Sequence, residues 1–468
     1  MKKLFLYGIL IAATSVSCRK IEIDGTTVNT GGGTTTENTI LEGRITANRT
    51  LKADFTYKLR GLVYVTNGAI LTIEPGTKIV GETGKTGGLI ITRSSKINAE
   101  GTLEKPIVFT SEAATPQRGD WAGVVILGNA PANSSFNGVQ GIGEVEGGIN
   151  NSDGLGLYGT PITQGQNPAD NSGILRYVRI EYAGYAFLPD KEINSLTLAG
   201  VGNKTIVDHV QVSYSNDDSF EWFGGTVNCT HLISYKALDD DFDTDNGYSG
   251  KVQFGISLRD SAVADISKAE AFESDNDANG SAMLPQTSVV FSNMTVIGPK
   301  ETLANTGNSL FVWGAQIRRN SSMSLFNSII MGYPNGLYID ATKGVPTDNN
   351  IGASSLQVQN NIIAGCSNPV IYSISGNATV PNAVNSTLTI KDWYNTPTYN
   401  NSILTTNAEV GLTAPFNYAT PDFNPTVSSV AATGASFTHA KLATGFTSVG
   451  YKGACSVGDT WWKGWSKF

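Results

Sequence analysis

Three short segments place an acid directly after a phenylalanine: Phe220-Glu221, Phe242-Asp243 and Phe272-Glu273, each among further carboxylates. Residues 217–277 hold fourteen Asp and Glu against four Lys and Arg, while the whole chain carries a net charge of -8. The acidity is therefore concentrated in one stretch. Like charges gathered in a fold cost free energy unless a cation, a shared proton or solvent relieves them. Aligning the segments on their phenylalanines puts Asp217 over Asp239, Asp218 over Asp240, and Glu221, Asp243 and Glu273 in one column, with Asp275 above Asp245. Side chains alternate between the two faces of a strand. If Phe220, Trp222 and Phe242 face inward, Glu221, Asp241, Asp243 and Asp245 face outward, and Asp217 and Asp239 join them. The predicted result is a ladder of carboxylates about 5 Å apart on one outer face.

Two chemistries suit such a ladder. The first is binding of a hard cation, for which calcium is the natural choice and Glu221, Asp241, Asp243, Asp245, Glu273, Asp275 and Asp277 are the candidate ligands. Asp275-Asn276-Asp277-Ala278-Asn279-Gly280 matches the first half of a calcium loop, and 241–247 is one residue out of step with it. The twelfth positions are Gln286 and Val252, so neither is an EF-hand. The competing reading is that Asp and Asn simply make the turns between strands. The second chemistry is glycosidic cleavage by a carboxylate pair, with Asp217, Asp218, Asp239 and Asp240 as the candidate catalytic groups. A lyase would need a base besides calcium, and Lys251 and Arg259 are the cations in reach. A negative face repels a polyanionic substrate unless calcium bridges them, which favours binding over catalysis. Trp222 and Phe223, beside the ladder, are candidates for stacking on a sugar, with a core position as the alternative for Trp222. Nucleic acid is disfavoured by the charge balance, and no organic cofactor is expected.

The elements that must position these acids are read from the rest of the chain. Residues 1–17 have two lysines, a short apolar core and small residues, the pattern of an export signal. The run Thr14-Ser15-Val16-Ser17-Cys18 resembles a bacterial lipobox, which implies a lipid on Cys18 and a membrane anchor, most naturally in the outer membrane. Residues 18–39 are rich in Thr and Gly and read as a flexible tether, leaving 40–468 as the folded domain. Charged residues make up only 15% of the chain and glycines number 52, a composition that favours a turn-rich all-β protein. Cys229, Cys366 and Cys455 are expected as buried free thiols, with a Cys366–Cys455 bridge as the alternative. The three histidines, His209, His231 and His439, look too few and too scattered for a histidine-rich metal centre.

A strand template recurs at long intervals, beginning at Tyr177, His209 and His231 and again at Asn293, Asn327 and Asn360. Helical patterning is nearly absent beyond the signal, apart from a short turn expected between Ser261 and Ala271. Repeats of this length with variable loops describe a solenoid, and the prediction is an all-β, right-handed, single-stranded parallel β-helix with flanking loops and capped ends. Asn327 and Asn360 are expected to stack as an internal ladder. The aromatic tail Trp461-Trp462-Lys463-Gly464-Trp465 is expected to fold over the last coil as its cap.

The phrases Leu71-Thr-Ile-Glu-Pro-Gly-Thr77, Gly119-Asp-Trp-Ala-Gly-Val-Val-Ile-Leu127, Asp217-Asp-Ser-Phe-Glu-Trp-Phe-Gly-Gly225 and Asp239-Asp-Asp-Phe-Asp-Thr-Asp245 resemble those of a family of predicted bacterial surface lipoproteins with a pectate-lyase-like β-helix. The resemblance implies fold and an envelope location, with a glycan or an envelope protein as partner, and no assigned reaction. The aspartate pairs also look similar to those of pectin-cleaving hydrolases, but the His-Gly and Arg-Ile-Lys elements of those enzymes are absent.

Overall fold

A computed structural model describes residues 37–84, 86–188, 191–374 and 389–468. The export signal, Cys18 and nearly all of the expected tether lie outside the described residues. The first strand is Ile40–Ile45, and 26 strands join in one continuous, parallel-paired network. Apolar residues alternate along these strands, so successive coils stack their inward side chains into one continuous core running from Leu41 to Tyr394. The chain winds as a parallel β-helix with three sheets, each coil contributing one segment to each.

One coil shows how the sequence makes the turn between the first and second sheets. In Gly173–Glu181 and Ile206–Ser213 the pairing runs through Arg176↔Asp208, skips one residue, and resumes at Val178↔Val210. The skipped residues are Tyr177 and His209, and the same place in later coils is held by His231, Phe254, Asn293, Asn327 and Asn360. All of these have positive φ, between 49° and 62°. Asparagine tolerates that left-handed conformation, whereas larger residues adopt it at a cost. The larger rings offset that cost by stacking, Tyr177 on His209 at 4.5 Å, His209 on His231 at 4.2 Å and His231 on Phe254 at 5.1 Å.

The asparagines do not form the expected internal ladder. Asn293 donates instead to the carbonyl of Tyr451 and Asn327 to that of Ser436, both on the C-terminal segment, while Asn360 accepts from Asn400. That segment also corrects the expectation for the aromatic tail. It runs back along the outer face of the second sheet, where Trp462 and Trp465 pack with Ile233, Ile256, Ile329 and Ile362, and Lys467 pairs through its backbone with Gln211. The end of the core is closed by a short helix, Ile390–Tyr394, which starts with a Thr389/Asp392 capping box and buries Ile390, Trp393 and Tyr394. The region between Ser261 and Ala271 is a run of turns. Cys229, Cys366 and Cys455 are buried free thiols, so no Cys366–Cys455 bridge forms. No helix among the described residues is long and apolar enough to cross a membrane.

Candidate functional site: a carboxylate wall on the third sheet

The third sheet stacks Leu196–Ala199, Phe220–Phe223, Phe242–Asp245, Phe272–Ser274 and Trp313–Ile317. Phe220 pairs with Phe242 and Phe242 with Phe272, their rings 5.6 and 5.5 Å apart inside the core. That inward column fixes the register of the outward one, Glu221↔Asp243↔Glu273, which continues to Gln316. Asp275 follows above Asp245, its N–H bonded to the carbonyl of Thr244.

A second acidic column precedes the strands. The side chain of Asn194 accepts the N–H of Asp218, Asp218 accepts that of Asp240 at 2.8 Å, and Asp240 accepts that of Glu270 at 2.7 Å. Each side chain thus caps the entry to the strand in the next coil. Together the columns bring three carboxylate trios within reach of a single ion: Asp217, Asp218 and Asp239; Asp218, Glu221 and Asp243; Asp240, Glu270 and Glu273. Within each trio the oxygens lie inside 4.8 Å of one another. A loop over this face, residues 128–160, adds Glu146, which lies against Asn194 and Glu221.

Burial is the dominant influence on these acids. It pushes Asp239 and Asp245 up to about 8, and Asp243 and Glu270 up to about 7, the last two held down in part by Arg318. Asp218, Glu221, Asp240 and Asp275 lie well above the usual carboxylate range, because burial is reinforced by neighbouring acids. Two arginines relieve one end of the wall. Arg318 pairs with Glu273 and, at 2.9 Å, with Asp275, and Arg319 reaches Asp275 at 2.7 Å. In the middle of the column, Oδ1 of Asp243 is buried without a hydrogen-bond donor.

Several predicted site residues lie elsewhere. Asp241 does not face outward: it sits one residue before its strand, where the backbone is still turning, and it is wholly buried. There it accepts hydrogen bonds from Ser234 and Ser257 and pairs with the buried Arg259 at 3.2 Å. Arg259 is consequently no catalytic base, and Lys251 is bonded to Thr444 on the C-terminal segment. Trp222 is a core residue with no exposure and stacks on Tyr248, while Phe223 is covered by Tyr158 of the overlying loop, so neither offers a face to a sugar. Asp277 accepts from Asn279 and Ser281, closing its own turn. The register columns were legible in the sequence. Asn194, Glu146, Glu270, Arg318 and Arg319 were missed, although one further coil of the same alignment would have reached the arginines.

The family model for a pectate-lyase-like β-helix domain matches residues 43–401. The chain belongs to that family. Its match ends where the C-terminal segment turns back along the second sheet, so the wall lies within the family domain and the covering segment beyond it. Neither a curated protein nor a solved structure matches the chain. An open cleft of about 400 Å³, lined by Lys78, Thr110, Arg179, Glu181, Tyr182 and Lys467, shares no lining residue with the wall.

Proposed function

We propose that this protein is a lipid-anchored component of the bacterial cell envelope, held at the outer membrane through Cys18, whose carboxylate wall binds calcium and presents the adjoining surface to a glycan or an envelope protein. The observation that carries the reading is the trio of Asp218, Glu221 and Asp243. Three acids on adjacent coils meet in a buried setting, and an oxygen of Asp243 has no donor. A hard cation with oxygen ligands relieves both the repulsion and the missing partner. Anchoring rests on the sequence of residues 1–18. A ligand that binds only the folded state raises its stability by about 2.7 kcal/mol at a hundred times its dissociation constant. The thermal midpoint is therefore expected to rise with calcium and fall with chelator, and Asp243→Asn to remove the response. A wild-type midpoint indifferent to both overturns the reading.

One observation favours a second reading, a carboxylate-pair glycoside hydrolase. Asp239 is held near 8 and lies within 4.8 Å of Asp217 and Asp218, so at neutral pH it stays protonated beside other carboxylates, as a general acid must. New reducing ends from a polysaccharide panel, lost in Asp239→Asn, would establish it. No products from any member of the panel would remove it.

A further inference from the structure

Away from the wall, at the bend between the first and second sheets, the coil period brings together two histidines that are 22 residues apart in the sequence. His209 and His231 occupy the same place in successive coils, their rings 4.2 Å apart. Nδ1 of each points at one oxygen of Asp208, at 2.8 Å and 2.9 Å. The hydroxyl of Thr230 donates to the same oxygen at 2.9 Å, and Arg176 holds the other at 3.4 Å. A carboxylate oxygen has two lone pairs, so three donors compete for it. The side chains of Asp208, His209 and His231 remain 22%, 13% and 25% exposed, which leaves the cluster open to ions from solution. On the other side, Trp461 and Trp465 of the C-terminal segment set their edges against the imidazoles.

We propose that Asp208, His209 and His231 form a binding site for a transition-metal ion of the zinc class, clipping two successive coils together beneath the C-terminal segment. Two imidazole nitrogens and one carboxylate oxygen are a donor set that zinc accepts, with a water as fourth ligand. The same set is poor for calcium, which takes oxygen ligands, so this site and the wall select different ions. Binding requires each ring to give up the Nδ1 proton it donates to the carboxylate and carry its N–H on Nε2 instead, which frees the Nδ1 lone pair for the metal. The carboxylate then becomes a ligand instead of an acceptor. Ring stacking alone accounts for an aromatic residue at each position, as Tyr177 and Phe254 show, but not for two nitrogens converging on one acid.

The neighbouring coils supply the control substitutions. His231→Phe keeps a ring like that of Phe254 and removes the nitrogen, and His209→Asn with His231→Asn installs the residue that Asn293, Asn327 and Asn360 carry in the same left-handed conformation. The full chain is stripped with chelator and titrated with Zn²⁺, and separately with Co²⁺, in excess Ca²⁺ to occupy hard oxygen sites. One equivalent is expected to bind, with a ligand-field spectrum for Co²⁺ that reports nitrogen ligation. His231→Phe should weaken binding by ~10-fold or more, at least the cost of disturbing a metal's outer shell, and the double asparagine variant should abolish it. If a histidine variant fails to fold, Asp208→Asn, which keeps the shape and an acceptor oxygen, should still weaken binding. Wild-type protein that binds neither ion, or binding that survives unchanged in the folded variants, overturns the proposal.

Discussion

A buried carboxylate without a donor is tolerated in one of three ways: it keeps its proton, it meets an arginine, or it shares a cation. The wall uses the arginine at Glu273 and Asp275, through Arg318 and Arg319. Asp218 accepts the N–H of Asp240 and Glu221 the amide of Asn194, but with Asp243 they meet as three acids with no arginine ion pair among the described residues, so a proton or an ion must relieve their repulsion. This has a consequence for stability. Unfolded, these acids titrate near 4, whereas folded Asp243 and Glu270 titrate at about 7, and Asp239 and Asp245 at about 8. Between those limits the folded protein binds more protons than the unfolded chain, so stability falls as pH rises. In chelator, these acids should make the thermal midpoint decline steadily from about pH 4 to about pH 8, the window these shifts define. Saturating calcium should flatten the decline, because the ion replaces the protons. A midpoint that rises over that window in chelator would contradict the assignment of raised acidities.

Among the elements, what the sequence makes legible follows from what is periodic. The phenylalanines at 220, 242 and 272 are large, inward and regularly spaced, so one alignment recovers the register of the third sheet and its outer column. Alternation fails at Asp241 because it holds only inside a strand, and that strand begins at Phe242. His209 and His231 look scattered along the chain because proximity here is set by the coil, whose length varies with its loops. Glu146 was hidden in a loop with no period at all. The C-terminal segment was misplaced for a related reason: outward-facing isoleucines on the second sheet, Ile233, Ile256, Ile329 and Ile362, demand a cover, but nothing in their spacing says which segment supplies it. That cover should matter energetically. Trp465 is fully buried in it, and replacing a buried tryptophan by alanine costs about 3–5 kcal/mol. Trp465→Ala should lower the denaturant midpoint by a corresponding amount, whereas an exposed residue of the same segment, such as Val427, should change it little on substitution. Equal effects would show that the segment lies loosely on the sheet.

For the molecule as a whole, the decisive property is that a solenoid is nearly one-dimensional. Each coil touches chiefly its neighbours, so stability approximates a sum of coil terms and neighbour interfaces. A cation bound by acids from adjacent coils strengthens the interfaces between those coils and acts weakly on distant ones. Local opening then reports the site directly, because amide exchange samples sub-global unfolding in contiguous units. Calcium should slow exchange in Phe220–Phe223, Phe242–Asp245 and Phe272–Ser274, where Asp218, Glu221 and Asp243 join the coils, and leave Ile70–Ile73 at the other end of the stack unchanged. Protection spread evenly along the chain would mean that the ion acts through some global property such as net charge. Protection confined to strands remote from the wall would mean that it binds elsewhere. Only slowing centred on the third sheet between residues 217 and 275 fits an ion shared between coils at the carboxylate trios.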